Sequence, residues 1–151
     1  MKTKHLPAQT LLEVVLAIGL AVAVLVSLVI LASASIRTVN SALSRTTATK
    51  LANAGVEAVK FKRDVTGLEG GSIVCYRVLN NSSDGVGTLD CSSWEVVSLE
   101  GMSYNRKIVV QDYSPALSVS LMKVSSVVNW TDAGGVSKEV VINTVLSDAK
   151  L

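Results

Sequence analysis

The residues able to do chemistry are few. His5 is the only histidine, and Cys75 and Cys91 are the only cysteines. Two cysteines do not make a zinc site, which takes four protein ligands or three and a water. In an oxidising compartment an even pair suggests a disulfide, here stapling the loop 80–90 and contributing roughly 3 kcal/mol by the chain-entropy model. In a reducing compartment the pair reads instead as two buried thiols. Asn80, Ser82, Asp84 and Gly85 echo a calcium loop, but Cys91 stands where the bidentate Glu belongs, so a plain turn-rich loop is expected. Asn80, Asn81 and Asn129 begin glycosylation-acceptor triplets, a pattern short enough to arise by chance. No Gly-rich phosphate loop follows a strand. A net charge of +2 with scattered basic residues does not point to nucleic acid. The expectation is therefore a protein that is not an enzyme, with no cofactor and no metal. The residue that stands out is an acid, Glu13, at the edge of a long apolar run.

That run, residues 14–36, carries no charge, and 14 of its 23 residues are Val, Leu or Ile. As a helix it covers roughly 34 Å, enough for a hydrocarbon core of about 30 Å. The thirteen Val, Leu and Ile residues between Val14 and Leu31 favour insertion by about 4–8 kcal/mol together, against roughly 2.5–3.5 kcal/mol for a carboxylate at the bilayer centre and less near an end. Insertion wins even with Glu13 included. The small residues Ala32-Ser33-Ala34-Ser35 admit a rival reading, a cleaved secretory signal releasing a soluble domain. The run exceeds the usual apolar region of such signals, roughly 7–15 residues, which favours retention in the membrane. Ala17 with Ala21, and Gly19 with Ala23, offer small surfaces at helical spacing, as is common in membrane helices.

The residues around Glu13 carry a resemblance. Ala8-Gln9-Thr10-Leu11-Leu12-Glu13-Val14-Val15-Leu16-Ala17-Ile18, behind the short basic stretch with Lys2 and Lys4, is similar to the start of type IV prepilins and the pseudopilins of type II secretion. Ala8 stands where that family usually has Gly, and Gln9 where it usually has Phe or Met. The resemblance implies cleavage between Ala8 and Gln9 by a prepilin peptidase, N-methylation of Gln9, and an assembly role for Glu13. That carboxylate would pair with the free amine of Gln9 on a neighbouring subunit, which offsets its desolvation. The residue-level alternative for Glu13 is a boundary acid at the headgroup level. His5 would be lost with the leader, leaving the mature chain without histidine. Residues 48–60 resemble the same helix of some minor pilins. Positive charges on the two flanks, Lys2 and Lys4 against Arg37, Arg45 and Lys50, are nearly balanced. The short basic leader and the resemblance both place the amino terminus in the cytoplasm and the carboxyl-terminal domain outside.

Past Ile36 the pattern becomes amphipathic without a break. Ile36, Val39, Leu43, Thr47, Leu51, Ala54, Ala58 and Phe61 recur at steps of three and four, with Arg37, Ser41, Arg45, Asn53, Glu57 and Lys60 opposite. One helix from about residue 10 to 63, roughly 80 Å long, is the simplest reading, with Pro7 breaking any earlier start. Lys60, Lys62 and Arg63 complement the dipole of its last turns, and Gly67, Gly70 and Gly71 end it. Strands are expected at 72–79, 94–99, 104–113, 117–130 and 136–146, with a hairpin turn at 131–135. The expected fold is α+β, a long helix packed by its amphipathic half on a small antiparallel sheet. The expected division is a leader at 1–8, a helix at 9–63 with a transmembrane segment at 14–36, and an outward-facing sheet domain at 64–151.

The expected function is a structural subunit of a type IV pilus-like filament, a minor pilin, first a single-pass inner-membrane protein and then part of the filament. Its partners would be the prepilin peptidase and methyltransferase, other pilin subunits and the membrane. A pseudopilin of type II secretion and a membrane-anchored surface binding module are the alternatives.

Overall fold

The structure is a computed structural model that describes residues 7–68, 73–79, 85–99, 101–112 and 121–147, with side chains from residue 11 onward. The chain divides into two units, Met1–Asn40 and Ser41–Leu151. Helix α1, Pro7–Val65, begins in the first and ends in the second, so the division falls inside the helix.

In the first unit the sequence demands little beyond a helix. Every residue from Leu11 to Asn40 is exposed, and none from Val14 to Ile36 is charged. Pro7, expected to break any earlier start, is the first helical residue among those described, and its fixed φ suits a first turn.

The second unit holds the end of α1 and an antiparallel sheet of six strands. These are β1 (Val74–Val78), β2 (Val86–Leu89), β3 (Glu95–Leu99), β4 (Met102–Asp112), β5 (Leu121–Thr131) and β6 (Ser137–Ser147). The order is β2-β1-β4-β5-β6, and β3 also pairs with β4, end to end with β1. The long strands follow the period of two: Tyr104, Arg106, Ile108 and Val110 of β4 are buried, as are Met122, Val124, Ser126, Val128 and Trp130 of β5. Between β5 and β6 the Asp132 carboxylate accepts from Gly134 N (2.9 Å) and Val136 N (3.1 Å), and Gly135 takes φ 76°, as the hairpin requires. Five of the strands lie where the sequence placed them. The ends foreseen at 72, 113 and 117–120 fall outside the described residues, and Val136, expected inside β6, precedes it and is exposed. Strand β2 was not foreseen.

The helix face differs from the expected one. The residues pressed on the sheet are Ser44, Ala48, Ala52, Gly55, Val56 and Val59, while Leu43, Ala54 and Phe61 are exposed. The stripe is rotated by one residue, about 100° of helix. The sheet explains the rotation. It already supplies bulk in Tyr76, Tyr104, Ile108 and Trp130, so the helix presents its small side chains and comes close. At Gly55 a Cβ would lie 2.7 Å from Ser126 Oγ and 3.1 Å from Ile108 Cδ1, so only glycine fits that approach. Two apolar clusters flank this crossing. One is built on Val59, Tyr76, Ile108, Val124 and Leu146, the other on Ala48, Ala52, Tyr104, Val128 and Trp130. The helix stops where Thr66 and Gly67 bond back to the carbonyls of Lys62 (2.9 Å) and Arg63 (3.1 Å), with Gly67 at φ 80°.

Candidate functional site

Residues 7–9 lie in the first turn of α1, so the Ala8–Gln9 peptide bond is helical. Glu13 follows Gln9 by four positions, one turn further along the helix. It is exposed, and among the described residues no ion pair reaches it. Glu13 is thus an exposed acid at the start of the apolar run.

Within the run and just past it, hydroxyls bond back to the helix: Ser27 Oγ donates to Ala23 O (2.8 Å), Ser33 Oγ to Val29 O (2.9 Å) and Thr38 Oγ1 to Ala34 O (3.0 Å). Such back-bonding satisfies the donor without a neighbouring chain. A Cβ at Gly19 would meet nothing within 4 Å, so a close approach is open there. By length and composition this helix can cross a membrane.

On the sheet, Cys75 and Cys91 form a disulfide with Cα atoms 5.2 Å apart, tying β1 to the segment that leads into β3. The sequence offered the pair by count alone. Beside it Lys107 Nζ donates to Cys91 O (3.0 Å) and lies 4.3 Å from the centroid of the Trp94 ring, a cation–π contact. The loop residues Asn80, Asn81, Ser82 and Asp84 lie outside the described residues. Asn129 lies on β5 and accepts from Asn105 Nδ2 (3.0 Å). Among the described residues no group of His, Cys, Asp and Glu is placed to hold a metal ion.

Sequence reading missed a buried ion pair. Arg106 is 5 % exposed, and its guanidinium grips Glu95 with two bonds, Nε to Oε2 (2.9 Å) and Nη2 to Oε1 (2.8 Å). Nη1 also donates to Leu51 O of α1 (3.3 Å), and Glu95 Oε2 accepts from Val78 N (3.3 Å). The pair therefore links β3, β4, the end of β1 and the helix. No spacing in the sequence announces it, because the two residues meet only through the β3–β4 register.

A second link sits at the hairpin. Lys138 Nζ bonds Asp132 Oδ2 (2.8 Å) and donates to Ser41 Oγ (2.7 Å). The Lys138 ammonium holds the Asp132 carboxyl below the usual carboxylate range, helped by the backbone N–H of Val136. Asp90 is lowered too, chiefly by the backbone N–H of Ser92. At the helix end Arg63 pairs with Asp64 (2.8 Å), and Lys62 lies over the Tyr76 ring at 5.9 Å.

The geometry defines an α+β protein whose sheet is carried on the end of a helix able to cross a membrane. No family model, curated protein or solved structure matches the chain.

Proposed function

We propose that the chain is a structural subunit of a type IV pilus-like filament, a minor pilin, held in the inner membrane before assembly. The observation that carries this reading is the continuity of α1. One unbroken helix bears Glu13 near its start, a charge-free exposed segment after it, and the small-residue face that seats the sheet at its end. A sheet that needed only tethering would be served by any anchor with a flexible linker. Here no linker intervenes, so the apolar segment and the sheet domain share one helix. In this reading a peptidase cuts between Ala8 and Gln9, Gln9 is methylated, and Glu13 meets the new amine of a neighbour within the bundle of apolar helices. Loss of water around both charges makes each depend on the other.

Two measurements test it. Intact mass of the protein from its host should show loss of Met1-to-Ala8 and one methyl on Gln9; a retained leader refutes the reading. Glu13→Ala and Glu13→Gln should insert into membranes as well as wild type yet fail to enter filaments. Normal incorporation of both variants removes Glu13 from the mechanism.

A further inference from the structure

The disulfide is held unequally at its two ends. Cys75 sits in β1, paired with Leu89 of β2 on one side and Val109 of β4 on the other, and is 2 % exposed. Cys91 lies in the turn between β2 and β3 and is exposed. Tyr76 belongs to the buried cluster under the helix, so by the alternation of a strand Cys75 and Arg77 stand on the opposite face. Lys107 stands there too, between the buried Arg106 and Ile108 of β4.

Thiol–disulfide exchange is a displacement at one sulfur, and its rate depends on which sulfur can be reached. A thiol arriving from solvent meets Cys91, while Cys75 between its two neighbouring strands offers it no surface. The exchange therefore has one sense. The incoming thiolate sulfur bonds to Cys91 Sγ, the Cys75–Cys91 bond breaks, and Cys75 leaves as a thiolate that takes a proton from water. Burial opposes charge on Cys75, and the cations Arg77 and Lys107 on the same face favour it.

The Cys91 segment is also held by contacts that do not need the bond. Lys107 Nζ donates to Cys91 O (3.0 Å) and lies 4.3 Å from the Trp94 ring centroid. Ser93 N donates to Asp90 O (2.8 Å), and Ser92 N to the Asp90 carboxylate (3.0 Å). From Glu95 onward β3 is in register with β4. Cys75 keeps both of its ladders, so the two sulfurs stay opposed when the bond opens and can rejoin in place. We propose that Cys91 is a site of reversible S-thiolation in the folded protein. An external thiol joins the chain at Cys91 Sγ, and Cys75 is the buried thiol that expels it. In that return step the Cys75 thiolate attacks Cys91 Sγ, the native bond re-forms, and the external thiol departs as its thiolate. With a dithiol, the second sulfur attacks the first, Cys91 leaves as a thiolate, and the dithiol is oxidised as the cysteine pair is reduced. The assignment rests on contacts within residues 41–151 and is independent of the filament reading.

The test uses the full chain in lipid nanodiscs. Cys75→Ala and Cys91→Ala each leave one thiol. With oxidised glutathione as the probe, a mixed disulfide should form at Cys91 in the first variant at least about tenfold faster than at Cys75 in the second, and denaturing urea should bring the two rates together. Wild type keeps the test independent of how well those variants fold. It is mixed with a thioredoxin whose second cysteine is replaced by serine, then quenched in acid and mapped by peptide mass. A covalent complex through Cys91 with Cys75 free is expected, while the fluorescence of buried Trp130 stays that of the folded protein. A glutathione adduct at Cys91 without a thioredoxin complex supports the site and names small thiols as its class. Equal rates at the two cysteines, a complex through Cys75, or exchange seen only in urea overturns the proposal. Cleavage and methylation at Gln9 are read separately by intact mass, so neither result decides the other.

Discussion

Replacing Gly55 by alanine should weaken the protein, against the usual rule for helices. In an open helix interior the change gains about 0.8–1.0 kcal/mol of propensity. At Gly55 the added methyl would sit 2.7 Å from Ser126 Oγ and 3.1 Å from Ile108 Cδ1 and Cγ1. Ser126 is fully buried on a central strand and Ile108 fully buried beside it, so neither has room to yield. Overpacking of this kind costs roughly 1–3 kcal/mol. The balance is a net loss of about 1 kcal/mol, or roughly 4–8 °C in Tm for a sheet unit of this size. The Ser126 hydroxyl finds no hydrogen-bond partner in its buried site. Ser126→Ala alone should therefore be neutral or stabilising by about 1 kcal/mol, since a buried unpaired hydroxyl is costly. In that background the atom nearest the new methyl is gone. Gly55→Ala with Ser126→Ala should then equal or exceed wild type, giving a coupling of at least about 1 kcal/mol. Urea unfolding followed through the fluorescence of buried Trp130 measures all four proteins. A stabilising Gly55→Ala single variant, or the same Gly55→Ala effect in both backgrounds, refutes the close-contact argument.

Other perturbations have directions fixed by the same contacts. Arg106→Met strands Glu95 in a site where its side chain is 16 % exposed and should cost about 3–5 kcal/mol in urea unfolding, whereas joint replacement with Glu95→Leu should cost much less. Cys75→Ser with Cys91→Ser should lower stability by about 3 kcal/mol, and non-reducing mass analysis of wild type should show no free thiol. The folded-state lowering of Asp132 gives a stability contribution that is present above the unfolded carboxylate pKa of about 3.9 and is lost as pH falls through the lower folded value. Asp132→Asn should accordingly flatten the acid limb of a stability-against-pH curve and leave the neutral limb parallel to wild type.

The long helix was legible because nothing in residues 8–66 interrupts it; that stretch holds no proline, and its glycines at 19 and 55 are isolated. The five foreseen strands were legible from runs of Val, Ile and aromatic residues between turn formers. Strand β2 was not, because Val86-Gly87-Thr88-Leu89 is only four residues long and carries a glycine, where a Cβ would lie 2.7 Å from Leu79 Cδ1. The helix face was misread for a physical reason. Periodicity counts large apolar residues, and here the sheet brings the large ones while the helix brings Ala48, Ala52 and Gly55. The Arg106–Glu95 pair was invisible, since one-letter spacing holds no record of which strands will pair.

The small-residue seam has a mechanical consequence. Residues 41–65 run alongside β6, and the hairpin grips their first residue through Lys138 and Ser41 (2.7 Å). A pull along this stretch of helix loads the whole seam in shear instead of peeling it open from one end. Each alanine step, the Gly55 notch and the Arg106 bond to Leu51 O must slip together. Tension along this stretch is thus spread over many weak contacts at once, so the seam yields as a whole and not contact by contact.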